Sequence, residues 1–264
     1  MYKPKKNNIS FLLLILLTIF ISCKKPAKED IVFLRLSFEH KIDNQAIVLN
    51  TQHYRNEAGN EYRIDEVKYF ISSIQLIKND GTKTTIQQDD GIHYVDMDYP
   101  QTLSWDIFEY IPEGHYDSIR FIFGMDEADN YSYRFVNPPE TNMAWSQFLG
   151  GGYHYMMING KFHQGDTLWS PLNVHLGKGQ VYQGSSLSAD SIIGFVDNHF
   201  QVTLPVSYLI KRDQTANLIL TMHIEKWFKE PSVYDFNYWG GHIMQNQAAM
   251  HTLKENGRNV FTVE

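Results

Sequence analysis

Apolar and polar residues exchange places every second position through much of this chain. The stretch 31–38 (IVFLRLSF) shows the pattern, and 69–77, 93–97, 118–123, 153–158, 173–176, 200–206 and 218–225 repeat it. Val, Ile, Phe, Tyr and Thr dominate these stretches, as a half-buried pleated surface requires. Asn79-Asp80-Gly81, Asp89-Asp90-Gly91, Pro112-Glu113-Gly114 and Asn159-Gly160 read as turns between them. Short strands at such spacing predict an all-β fold, an antiparallel β-sandwich. Helical spacing is confined to 241–256, where Ile243, Met244, Ala248, Met250 and Leu253 recur and Gly257 offers a stop, so a short C-terminal helix is expected. Residues 126–152 and 226–241 fit neither period and read as long loops, where a β scaffold often carries its function.

The N-terminus breaks the pattern. Lys3, Lys5 and Lys6 precede an apolar run broken only by Thr18, and Ser22-Cys23 follows. This is the layout of a secretory signal peptide over 1–22, with Cys23, the chain's single cysteine, as the lipidated residue of a bacterial lipoprotein. Residues 23–30 then form a charged tether, and 31–264 a single sandwich domain. The expected location is the cell envelope, anchored by lipid to the outer membrane on its periplasmic or surface leaflet.

With Cys23 committed to lipid, disulfides and thiolate metal sites are excluded. The formal charge is −7 and becomes more negative once the three signal lysines are removed. An acidic body lacks the basic footprint that phosphate binding requires, so nucleic acid is excluded as a partner.

Candidate chemistry concentrates in 142–177, NMAWSQFLGGGYHYMMINGKFHQGDTLWSPLNVHLG. Imidazole and thioether are good copper ligands, and thioether suits Cu(I). Alternation turns His154, His175 and His223 away from the core-facing residues of their stretches, making them candidate metal ligands. Taken singly, each is more often a hydrogen-bonded histidine, and Met156 and Met157 more often core fillers. A second group, Trp239, His242, Met244, Met250 and His251, falls on the expected C-terminal helix without a metal-binding spacing. Asp126, Glu127 and Asp129 offer hard oxygens that calcium accepts, although the loop lacks the EF-hand pattern. No GxSxG, catalytic cysteine or phosphate loop occurs, so an enzyme is not expected. Aromatic residues make up 14% of the chain, which keeps open a second reading: a glycan- or protein-binding envelope module without a metal.

A series of phrases in fixed order adds to this. They are Asn56-Glu57-Ala58-Gly59-Asn60-Glu61-Tyr62, then Val67-Lys68-Tyr69-Phe70-Ile71-Ser72-Ser73-Ile74, then Ile111-Pro112-Glu113-Gly114-His115-Tyr116-Asp117-Ser118-Ile119. Met143-Ala144-Trp145 with Gly152-Tyr153, Asn173-Val174-His175-Leu176-Gly177 and the close at 256–261 follow. The arrangement resembles the MbnP-like family, copper-binding proteins first associated with methanobactin gene clusters. The resemblance implies a β-sandwich that binds copper outside the cytoplasm. In some relatives histidines and a tryptophan oxidised to kynurenine hold Cu(I), and a partner di-haem peroxidase makes that change. His175 and Trp145 fall on family phrases, so the resemblance implies His175 as a ligand and Trp145 as a modified or neighbouring residue. The expected function is extracytoplasmic copper binding, in acquisition, storage or delivery.

Overall fold

The computed structural model describes residues 33–165, 168–211 and 214–264. The expected signal peptide, Cys23 and the whole of the expected tether lie outside the described residues.

Two sheets face one another across a shared apolar core. The larger runs in the order Leu168–Leu176, Met156–Gln164, Glu61–Lys78, Gly114–Phe123, Phe200–Ile210, every neighbour antiparallel. Its axis is the long strand Glu61–Lys78, which also carries the short strands Tyr54–Arg55, Lys83–Thr85 and Ile92–Asp96. The smaller sheet runs Phe261–Val263, Ala216–His223, Leu34–Ile42, Gln45–Ala46, with Ser104–Ile107 also paired to Leu34–Ile42. Alternation sets which face is buried: Leu34, Leu36, Phe38, His40 and Ile42 all point inward. Phe121, Phe123, Phe200, Trp227 and Phe261 interlock between the sheets, with ring centroids 5.1–6.1 Å apart.

The fold is therefore the expected all-β sandwich with long loops and a short C-terminal helix, with one departure. Leu34–Ile42 and Ala216–His223 pair in parallel, Leu36 opposite Leu218 and Phe38 opposite Leu220. All eight alternating stretches lie in or beside strands. The stretch 153–158 is shorter than expected, because its strand begins at Met156. His154 thus precedes the strand rather than alternating along it.

Two local expectations are corrected. Asn159-Gly160 is not a turn but lies inside Met156–Gln164, where a Cβ at Gly160 would sit 2.0 Å from the Arg63 carbonyl oxygen. The glycine marks close backbone approach beside an irregularity in the long strand between Ile64 and Glu66. The C-terminal helix spans Gln247–Gly257, not 241–256. Asn246 caps it by accepting the Ala249 N–H, and the residues before the cap are drawn onto the edge of the large sheet. His242 and Met244 are consequently not helical. Among the described residues no helix is long and apolar enough to cross a membrane.

Candidate metal centre

Two backbone segments bring the site together. Residues 143–145 run antiparallel to 152–154: Trp145 N–H donates to the Gly152 carbonyl at 2.8 Å and His154 N–H to that of Met143 at 2.7 Å. The connection between them closes through Gly150, Gly151 and Gly152, all left-handed at φ of 110°, 65° and 82°. A Cβ on Gly152 would stand 2.6 Å from Asn130 Oδ1, so this is a close-approach turn that only glycine fits. Tyr155 N–H then donates to the Leu176 carbonyl at 2.7 Å, carrying the ladder to the end of the edge strand Leu168–Leu176. His175 stands one residue before that end.

The result places three rings in sequence. Trp145 lies edge-on to His154 with centroids 4.6 Å apart, and His154 lies edge-on to His175 with centroids 5.0 Å apart and planes at 88°. Trp145 is 2% exposed and His154 6%, and His175 is half-buried. Gly177 seats the indole, since a Cβ there would meet Trp145 Cε3 at 2.6 Å.

Each imidazole is fixed in one tautomer by what it donates to. His154 Nδ1–H donates to the Met143 carbonyl at 2.9 Å, a group that can only accept. His175 Nε2–H donates to Asn159 Oδ1 at 2.7 Å. The Asn159 amide nitrogen in turn donates to Glu66, which pairs with Lys68, and Lys68 lies 3.6 Å from the buried Asp96. The lone pairs therefore fall on His154 Nε2 and His175 Nδ1. Both of these nitrogens are buried, and neither has a hydrogen-bond partner among the described residues. Burial lowers the His154 pKa to about 4, against a smaller upward pull from the Met143 carbonyl. Burial also lowers His175 to about 3, with further lowering from His154 and His242. Both rings are neutral at physiological pH and offer unprotonated nitrogen.

Trp145 contributes no lone pair of its own. Its Nε1–H donates to the Leu149 carbonyl at 3.1 Å, so its part in the site is to wall one side of His154.

Of the three expected histidine ligands, the structure brings together His154 and His175. His223 is elsewhere: it ends Ala216–His223 in the smaller sheet, with Nε2 3.0 Å from Thr262 Oγ1 and Nδ1 4.0 Å from Glu225. Alternation fails there because residues 220–223 are buried in succession as the strand runs into a 3₁₀ turn. The methionines behave as core: Met143 and Met156 are fully buried, and Met157 packs against Phe70 and its neighbours. His163 and Trp169 pair across the same hairpin but at its far end, about 20 Å along the strands from His175. In the acidic loop, Asp129 is bound by Arg134 at 3.1 Å, and Asp126 Oδ1 accepts the Asp129 backbone N–H. Among the described residues no group of three or more His, Cys, Asp or Glu side chains is arranged to hold a metal. The centre is thus a two-imidazole one.

Sequence reasoning passed over Glu66, read Asn159 as a turn residue and put His242 on the C-terminal helix rather than beside His175. Asn173 N–H donates to the Gly241 carbonyl at 2.7 Å, and its side-chain amide meets His242 Nδ1 at 2.9 Å. His242 thereby joins the edge of the strand that carries His175, a placement no local pattern announces.

Comparison with known proteins bears on the whole chain. No curated protein matches it. Among solved structures, MbnP from Methylosinus trichosporium superimposes with a TM-score of 0.55 at 13% identity, covering 88% of this chain and 98% of that one, a likeness of fold. The sequence model of the MbnP family matches residues 32–245, and the chain belongs to the MbnP family.

Proposed function

We propose that this protein binds copper as Cu(I), between His154 Nε2 and His175 Nδ1, in an extracytoplasmic, lipid-anchored setting. One observation carries the reading: two buried imidazoles stand with centroids 5.0 Å apart, one nitrogen of each unpartnered and each tautomer fixed by an acceptor on the opposite nitrogen. A buried polar atom left without a partner costs about 1–3 kcal/mol. A ligand that accepts both lone pairs recovers that cost. Two neutral imidazoles with no carboxylate beside them suit a soft monovalent ion of low coordination number better than a hard divalent one. An acceptor behind each ring is also the usual support of a metal-bound histidine.

The family supports the copper assignment, and the fixed tautomers support the ligands. Trp145 is the neighbour of the bound ion, walling the site on the His154 side, and is the residue to inspect for oxidation. Cys23 is the proposed lipid attachment point, which would hold the domain at an envelope membrane. The assembled groups ligate, and none forms a nucleophile with its base. The role that follows is acquisition, storage or delivery of copper.

The test is elemental analysis of protein purified from copper-supplemented cells, for wild type and His154→Ala/His175→Ala. The reading expects near-stoichiometric copper in the wild type and its loss in the double variant. Equal copper in both would sink it.

A further inference from the structure

A cleft of about 640 Å³ opens directly onto His175. His154 is not in its wall, so the cleft touches the buried pair through His175 alone. Its mouth is formed by the segment before the C-terminal helix, where His242 is exposed and Met244 half-buried, both lining the cleft. The rest of the wall is side-chain amide and aliphatic, including Asn173, Gln180 and Ile243, with one phenol, Tyr182. No lining side chain carries a carboxylate or a cationic head. Such a wall gives no purchase to a hard cation, while imidazole and thioether are the ligands a soft one takes.

We propose that His242 and Met244 form a second, outer soft-metal position at the mouth of this cleft, from which Cu(I) passes to His175. The inference rests on the reading of the buried pair as a Cu(I) centre. Backbone geometry fixes His242 beside the edge strand, and Met244 follows two residues on with its side chain in the cleft wall. Residue 242 bridges Asn173 in parallel, and Asn173 N–H holds the Gly241 carbonyl, so the segment cannot swing free of the strand that carries His175. A Cβ on Gly241 would lie 1.9 Å from the Pro171 carbonyl oxygen, so the segment lies hard against that strand. The Asn173 amide occupies His242 Nδ1 and leaves Nε2 as the ring's other nitrogen. Metal binding at Nε2 needs the proton on Nδ1, and Asn173 accepts it once the amide turns its oxygen to the ring. A position on the way inward requires the thioether and single imidazole to hold Cu(I) more weakly than the buried pair, and the order of filling reads this out.

The experiment is titration of the full chain with Ag(I), a redox-inert soft ion of the same charge, followed by NMR of the histidine rings and methionine methyl groups. The first equivalent should shift His154 and His175, and the second His242 and Met244. In His242→Gln/Met244→Leu the second step should vanish and the first remain. Transfer of Cu(I) from a chromogenic chelator to the buried pair should slow on the order of tenfold in that variant, with the final affinity of the pair unchanged. In His154→Ala/His175→Ala the response of His242 and Met244 should persist. Failure of His154 and His175 to respond in the wild type counts against the buried centre. Silence of His242 and Met244 throughout, or an unchanged transfer rate in the mouth variant, overturns the outer position.

Discussion

Asn159 Oδ1 accepts the Nε2–H of His175 at 2.7 Å, and so decides which nitrogen of that ring is left for a metal. The two residues belong to paired strands, and Asn159 is itself held by Glu66 on the long strand. Asn159→Leu removes the acceptor that holds the proton on Nε2, lets Nδ1 compete for it, and should weaken Cu(I) binding about 10–100-fold. Competition with a chromogenic chelator measures it. Unchanged affinity would remove Asn159 from the site.

Affinity should be insensitive to mild acid. Burial holds the His154 pKa at about 4 and the His175 pKa at about 3, so protons do not compete for either nitrogen until well below neutrality. An imidazole titrating at its ordinary value near 6.5 would lose about tenfold in affinity per pH unit below it. The Cu(I) dissociation constant is therefore expected to be flat from about pH 8 to pH 5. A steep loss beginning near pH 6.5 would show exposed histidines to be the ligands instead.

Stability of the metal-free chain should behave in the opposite way. His40, His93 and His154 are each lowered to about 4 and His175 to about 3, burial being the largest cause in every case. The unfolded chain takes up protons at these residues from about pH 6.5 downward while the folded one does not, so folding weakens as pH falls through that window. Above about pH 7 these groups contribute no slope. The urea midpoint should fall steadily between pH 6.5 and 4, with a loss on the order of 1 kcal/mol per pH unit for each histidine that stays neutral in the fold. The slope should shrink in His93→Phe, whose ring stacks between Phe38 and Trp105 and can be replaced in shape.

Gly177→Ala tests the seating of the indole. The new methyl would overlap Trp145 Cε3 and Cζ3, at 2.6 and 2.7 Å. Overpacking of this kind costs about 1–3 kcal/mol. Because Trp145 walls His154, the variant should lose copper affinity as well as stability, with altered near-ultraviolet dichroism. Full retention of both would mean that the indole has room to move.

His223→Ala should leave copper stoichiometry and affinity untouched, since its ring faces Thr262 and Glu225 in the other sheet. A loss of copper there would place the metal at the smaller sheet, away from His154 and His175.

The contrast between His175 and His223 shows what a period of two conveys. At 172–176 burial alternates as the sequence predicts, and His175 turns away from Val174 and Leu176. At 220–223 the same alternation is present in the sequence, but the strand is covered on both faces and the period means nothing there. His154 reached the site for a reason alternation does not supply: a short ladder with residues 143–145, closed by three left-handed glycines. The glycine triplet was visible in the sequence, but its partners at Asn130 and Ser132 were not. Asn159, read as a turn residue beside Gly160, gained its role from strand register, which is a property of the folded sheet. The all-β class was legible because alternation and turn chemistry are local. The membership of the site depends on contacts between distant segments.

The parallel pairing of Leu34–Ile42 with Ala216–His223 also sets an order of events. The first described strand finds its longest partner only after nearly the whole domain has been made, and the seam is finished by Phe261–Val263. Pairings so remote in sequence are slow to form, because the intervening chain must be gathered first. The large sheet, with the hairpin that carries His175, is built from residues in between and can assemble earlier. The smaller sheet then acts as a late fastening, drawing the two ends of the domain together, so that cutting into Leu34–Ile42 or Phe261–Val263 would strike the same seam.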